Sequence, residues 1–203
     1  MIKHYPFEKF EVSVFQRAKK DKPCCGDSYF VKETDSYLIC AVADGLGSGI
    51  GAKEASQKAV ETIESNHTLP VDLLMNKVNQ SLIKHRGAVV TIFKIDYTDK
   101  LVSFCGVGNV NFKIYPQIGK PISPLPNRGF LSGQPVRLQV QEFNYPDHAM
   151  FVIHSDGVTL HANQVHSIKK MYHVVAEEAE SYLDNYAKLN NNDDLTILIG
   201  KPL

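Results

Sequence analysis

Residues 88–115 read AVVTIFKIDYTDKLVSFCGVGNVNFKIY. Three strand-like runs fill this stretch: Ala88–Tyr97, Leu101–Val107 and Val110–Tyr115. β-Branched and aromatic residues recur in each, as suits a pleated, half-buried surface. Only Thr98-Asp99-Lys100 separates the first two, a hairpin-type connection. On the N-terminal side, Phe10–Gln16 alternates and Tyr37–Ala43 (YLICAVA) is nearly all apolar. A glycine-rich run, Gly45 to Gly51, leads into Ala52–Glu64, whose Ala55, Ala59, Val60 and Ile63 have helical spacing. A second helix is expected after Pro70, with Leu73, Leu74, Val78 and Leu82 on one face. On the C-terminal side, a proline-rich loop spans Pro116–Pro135, and then Val136–Phe143 alternates and Met150–Ile153 is apolar. A long helix is expected over Gln164–Leu189, and Leu195–Ile199 (LTILI) reads as a last strand. Hairpins dominate, and strands do not alternate strictly with helices. The fold class is therefore α+β: antiparallel sheets covered by helices, not a doubly wound parallel sheet.

The length of 203 residues, without a linker-like stretch or internal repeat, suits one domain over 1–203. Hydrophobic residues make up 43% and charged residues 22%, enough to bury a core without disulfides. The formal net charge is zero, which argues against broad binding to nucleic acid or an anionic membrane. No apolar run approaches the ~20 residues that span a bilayer. Met1–Phe10 carries Glu8 and Lys9 and does not read as a secretory signal. Cys24, Cys25, Cys40 and Cys105 form no CxxC pair. A reduced, cytoplasmic protein is expected, with Cys40 and Cys105 as buried free thiols.

Carboxylates recur at the ends of apolar strands. Asp44 closes YLICAVA and precedes Gly45; Asp156 follows MFVIHS and precedes Gly157; Asp193 and Asp194 precede LTILI; Asp27 sits in CCGDSYF. An ionised carboxylate beside a core is costly unless it is paired or binds a metal. Hard cations such as Mg²⁺ and Mn²⁺ take oxygen ligands, and several Asp side chains brought together would meet that demand. Gly45 would leave its carbonyl open as a further ligand. Asp-Gly is also a common turn dipeptide, so the pattern alone leaves both a turn and a metal site open.

The ordered set GD (Gly26-Asp27), DGLG (Asp44–Gly47), GAVV (Gly87–Val90), GVGN (Gly106–Asn109), SDG (Ser155–Gly157) and DDLT (Asp193–Thr196) resembles the metal-dependent, type 2C protein serine/threonine phosphatases. The CCGD form and DDLT ending resemble the bacterial branch that regulates stress and sporulation sigma factors. The resemblance implies a four-layer αββα sandwich and two Mn²⁺ or Mg²⁺ ions. It implies that Asp44 bridges the ions, that the Gly45 carbonyl binds one, that Asp156 and Asp193 complete the other, and that Asp27 orients metal-held water. Asp27 and Asp44 are then the catalytic carboxylates. The implied reaction is direct hydrolysis of phosphoserine or phosphothreonine by a hydroxide shared between the ions, without a covalent phosphoenzyme. The implied substrates are phosphorylated stressosome proteins with sulfate-transporter/anti-sigma-antagonist domains, met by a monomeric negative regulator of the stress response.

The chain departs from the family where Gly26 precedes the first motif Asp and where Asn109 replaces an Asp that would hold a third ion. Arg17–Lys22 offers cations for phosphate without singling one out. These departures motivate an alternative: a catalytically weak, phosphatase-fold binding module. A third reading, nucleotide binding by Gly45–Gly51, meets neither GxGxxG nor a P-loop. His154 is expected to be a packed, hydrogen-bonded histidine.

Overall fold

A computed structural model of the chain describes residues 2–158 and 193–203. In chain order its elements are β1 (Ile2–Pro6), β2 (Phe10–Arg17), β3 (Asp27–Glu33), β4 (Tyr37–Gly45), α1 (Ile50–Asn66), α2 (Val71–Ser81), β5 (Ala88–Asp96), β6 (Leu101–Val107), β7 (Asn111–Tyr115), β8 (Gln141–Asn144), β9 (Met150–His154) and β10 (Leu195–Pro202). The expected hairpin forms: β5 and β6 pair antiparallel, with Phe93 opposite Phe104. The strands make two five-stranded sheets, ordered β1-β2-β10-β9-β7 and β3-β4-β5-β6-β8. All the strand pairings are antiparallel.

The two sheets face one another across a core that includes Phe10, Val12 and Val14 of β2, Leu38, Cys40 and Val42 of β4, and Phe93, Phe104, Phe112, Phe151 and Leu198. A second core lies between β4 and β5 and the two helices, with Ile39, Ala41 and Ala43 meeting Ala55, Ala59, Ile63, Leu74, Met75 and Val78. Strand β4 is buried on both faces, which is why it reads as a continuous apolar run. A further buried cluster includes Phe15, Val152, Leu195 and Ile197. Sheet, sheet and a helical layer thus account for three of the four expected layers. The expected helix Gln164–Leu189 lies outside the described residues. Among the described residues no helix is long and apolar enough to cross a membrane.

Some details go beyond the sequence reading and others correct it. The runs Leu101–Val107 and Val110–Tyr115 are adjacent in sequence, but β6 and β7 belong to different sheets. Gly108 makes the crossing: its φ is +100°, and a side chain there would collide with Val89. Of the alternating run Val136–Phe143 only the last three residues are in a strand, β8 (Gln141–Asn144). Val136, Leu138 and Val140 do lean on the helix-side core, so the alternation reports one-sided burial without a ladder partner. Leu73 is 49% exposed, and Val71, Leu74, Met75 and Val78 bury the face of α2 instead. Strands β1 and β3 escaped the sequence reading. Strand β1 is a mostly polar edge strand defined by its backbone pairing with β2, and β3 begins on a charged residue. The thiols are as expected: Cys40 and Cys105 are buried, and all four cysteines are free.

Candidate active site

The chemistry-bearing residues lie at one end of the sandwich. Register sets the first two: in the β3–β4 ladder Asp27 stands directly opposite Asp44, and Asp44 faces Val89 of β5 on its other side. Like charges directly opposed across an antiparallel pair are destabilising, so this pairing calls for a compensating group. The other sheet brings the rest. Ile197 of β10 pairs with His154 of β9, so Asp156, after β9, lies beside Asp193 and Asp194, before β10. Contact there is close enough that a side chain at Gly157 would fall on the Asp194 carbonyl. The Ser155 main chain donates to the Thr196 carbonyl at 3.0 Å, and the Thr196 main chain donates to Ser155 Oγ at 3.0 Å. Buried Gln16 ties the sheets together, donating to the Asp27 carbonyl at 3.2 Å and to Thr196 Oγ1 at 3.1 Å.

Gly45 is required for packing. A side chain on it would collide with the Ala52 main chain in the first turns of α1. The glycine-rich run is thus a close approach of β4 to α1, and the antiparallel sheet removes the dinucleotide reading.

Charge dominates the site. Burial pushes the Asp44 carboxyl up to about 8, and Asp27, Asp156, Asp193 and Asp194 all push it further the same way. Among the described residues, no cation is among the groups that set this shift. Asp27 is fully buried, and among the described residues neither of its carboxylate oxygens has a hydrogen-bond partner of good geometry. Burial raises it to about 6, with the neighbouring Ser155 and Thr196 hydroxyls opposing the rise and Asp194 and Asp156 adding to it. Asp156 is raised by burial and by Asp193, while Asn109 Nδ2 donates to its Oδ2 at 2.7 Å and restrains the shift. Asn109 therefore serves here as a donor to a carboxylate. Asp193 is exposed and accepts the Asp194 main-chain N–H at 2.9 Å. Asp194 is buried and accepts the Lys19 main-chain N–H at 2.8 Å, which holds the loop after β2.

The structure thus brings together every acidic residue singled out from sequence: Asp27, Asp44, Asp156 and Asp193, with Gly45 beside them. It adds Asn109 as a hydrogen-bond donor and Asp194 as a buried anchor, which spacing alone did not distinguish from Asp193. Orphaned buried carboxylate oxygens, crowded by further carboxylates, fit hard divalent cations. Among the described residues no three side chains converge closely enough to enclose an ion unaided. An ion here would keep part of its water shell, as Mg²⁺ does. Other catalytic groups are not poised. Burial, then Asp27, drives the Cys25 thiol up to about 12, so it is no nucleophile at neutral pH. His154 is buried, its Nδ1 2.9 Å from the Ser155 carbonyl oxygen, and burial lowers its pKa.

The cluster predicts a pH dependence for the metal-free protein. Asp44 titrates near 8 when folded and at 3.8 in the reference state. The folded state binds more protons over that window, so this contribution to stability is present at low pH and is lost as pH rises through about 8. His154 works in the opposite sense below its reference value of 6.5. In EDTA, the melting temperature is therefore expected to fall between pH 6.5 and 8, and to fall less in Asp44→Asn. Thermal unfolding followed by circular dichroism checks this; a rise would contradict it.

Comparison with known proteins bears on the same residues. The model of the family "Stage II sporulation protein E (SpoIIE)" matches residues 34–201. The chain belongs to the SpoIIE family. "Phosphoserine phosphatase RsbX" of Bacillus subtilis (strain 168) is 36% identical over 201 residues, 99% of each chain. The crystal structure of RsbX in complex with magnesium superposes on this SpoIIE-family chain with a TM-score of 0.88 at 34% identity, covering 100% of both. A solved chain described with the bacterial stressosome, a modular system adapted to control secondary messenger signalling, gives a TM-score of 0.84 at 28% identity, covering 95% of this chain and 100% of that one.

Proposed function

We propose that this SpoIIE-family chain is a metal-dependent phosphoserine/phosphothreonine protein phosphatase that acts on stress-response regulators. The observation that carries the reading is the opposed pair Asp27 and Asp44, one fully buried without a partner and both ringed by further carboxylates. In this reading Asp27, Asp44, Asp156 and Asp193, with the Gly45 carbonyl, hold two Mn²⁺ or Mg²⁺ ions. When bound, such a pair supplies Lewis acidity and a water of lowered pKa. The chain's own residues do the rest. The β3–β4 register fixes the spacing of Asp27 and Asp44. Asn109 steers one oxygen of Asp156 and keeps its carboxyl closer to the ionised state. Gln16 ties the two sheets together, and Ser155 and Thr196 tie the end of β9 to β10, so that the carboxylates stay convergent. Asp194 holds the loop after β2 over the rim.

The named relative with 36% identity is a phosphoserine phosphatase, and a stressosome chain shares the fold, so the substrates proposed are phosphorylated stressosome proteins with sulfate-transporter/anti-sigma-antagonist domains. The chain would act on them as a cytoplasmic monomer and damp the stress response. The binding-module alternative gains nothing from the cluster, because a scaffold has no use for carboxylates that oppose folding.

Incubation with such a phosphoprotein in Mn²⁺ is expected to release phosphate. Excess EDTA should stop the release, and excess Mn²⁺ should restore it. Undiminished turnover in EDTA, or no turnover with Mn²⁺ bound, would overturn the reading.

A further inference from the structure

A phosphorylated substrate carries negative charge into an end of the sandwich where five aspartates already crowd one another. Bound cations offset part of that charge. A fixed positive side chain at the rim would offset more and would orient the incoming group. Several cations lie nearby. Lys53 of α1 directs its ammonium to the Asp27 carbonyl at 3.1 Å and to Ser28 Oγ at 3.2 Å. Arg17 at the end of β2 also has partners within the fold. Lys19, Lys20 and Lys22 lie on the loop after β2.

Arg86 differs from these. It is exposed, and among the described residues it makes no hydrogen bond or ion pair. Its side chain lies directly over two glycines of the neighbouring turn. A methyl group added at Gly51 would sit 2.6 Å from Arg86 Nε and 2.9 Å from Cζ, and one added at Gly47 would sit 3.2 Å from a terminal nitrogen. The guanidinium therefore lies against the backbone of the turn that leads from Asp44 into α1. The Leu46 main chain donates to the Gly87 carbonyl at 3.0 Å, and Gly45 pairs with Ala88, so the Arg86 backbone is fixed beside that turn too. One residue further along α1, Ala52 lies across Gly26 from the buried Asp194: a methyl group added at Gly26 would lie 3.1 Å from Ala52 Cβ and 2.7 Å from Asp194 Oδ2. The guanidinium thus borders the turn between Asp44 and α1, at the acidic end of the sandwich.

We propose that Arg86 binds the phosphoryl oxygens of the substrate. Its planar fork of donors matches a phosphate, and the glycines beneath it leave room for the guanidinium beside the turn. This deepens the phosphatase reading and rests on it.

The competing role is packing, in which the side chain merely fills space over Gly47 and Gly51. Two variants separate the roles. Arg86→Met keeps an apolar stem over the glycines and removes the charge. Arg86→Lys keeps the charge and loses the fork. For Mn²⁺-loaded protein, Arg86→Met is expected to weaken inorganic phosphate binding, read by calorimetry, by about 10–100-fold. It should raise KM by a similar factor for both p-nitrophenyl phosphate and a phosphoserine protein, while Mn²⁺ affinity and melting temperature stay at the wild-type values. Arg86→Lys should recover part of the loss. Wild-type phosphate affinity and KM in Arg86→Met would overturn the assignment. So would a loss accompanied by weakened Mn²⁺ binding or a lowered melting temperature, which would mark a packing role. If the wild-type chain released no phosphate under any metal, the phosphatase reading would fail. The phosphate-binding comparison would still decide the role of Arg86.

Discussion

Asp44→Asn is expected to lower phosphate release from a phosphoserine protein by at least 10²–10³-fold, on the order of the loss when one preorganised charge-stabilising group is removed from an active site. The substitution keeps the shape of the side chain and the β4 backbone, so the far-ultraviolet circular dichroism should be unchanged. The metal-free protein should at the same time become more stable. Asp44 is held up to about 8 by burial and by four other aspartates, so replacing it with a neutral amide removes a charge the fold opposes. A rise of a few degrees in melting temperature in EDTA is the expected sign, since ~1 kcal/mol moves a chain of this size by roughly 2–4 °C. Lost activity with gained apo-stability is the signature of a residue kept for chemistry. Retained activity, or a destabilised apo-protein, would remove Asp44 from the centre of the site.

Phe93→Ala is expected to produce the largest loss of stability. Phe93 is fully buried on β5 between the two sheets. Its ring stacks on Phe112 with centroids 4.2 Å apart and meets Phe151 edge-on at 4.9 Å. Phe112 and Phe151 belong to the opposite sheet, so truncation removes the contacts that join the layers. The cost should be about 3–5 kcal/mol, or a fall of roughly 6–20 °C in melting temperature. Urea unfolding measures it directly; a loss below about 1 kcal/mol would mean that the layers close over the gap.

Antiparallel pairing was legible in the four residues between β5 and β6, because a hairpin leaves no room for a crossover. Asp44 and Asp156 were legible because each sits where an apolar run stops, and Asp193 because it sits just before one starts; strand ends in a layered fold collect at one edge. Sheet membership was not legible. The turn at Gly108 sends β7 to the other sheet through one backbone angle, and nothing in Val110–Tyr115 says which partner it takes. The difference between Asp193 and Asp194 was hidden too. Adjacent residues on an irregular segment take their exposure from tertiary contacts, here the Lys19 main chain and Gly26. Arg86 was overlooked because a lone basic residue before a strand is unremarkable in sequence. The cue was its position directly ahead of Gly87-Ala88, where β5 reaches the turn after Asp44.

Strand β10 lies between β2 and β9 in its sheet. During synthesis, residues 27–144 can assemble the whole β3–β8 sheet and its two helices as they leave the ribosome. The facing sheet must wait, because its central strand is the last described element to emerge, and residues 10–17 stay unpaired on that side until it arrives. Asp193 and Asp194 travel with that final strand. A nascent chain stalled before them would carry Asp27 and Asp44 without the rest of the acidic set, so under the proposed assignment translation must pass residue 194 before hydrolytic capacity can appear.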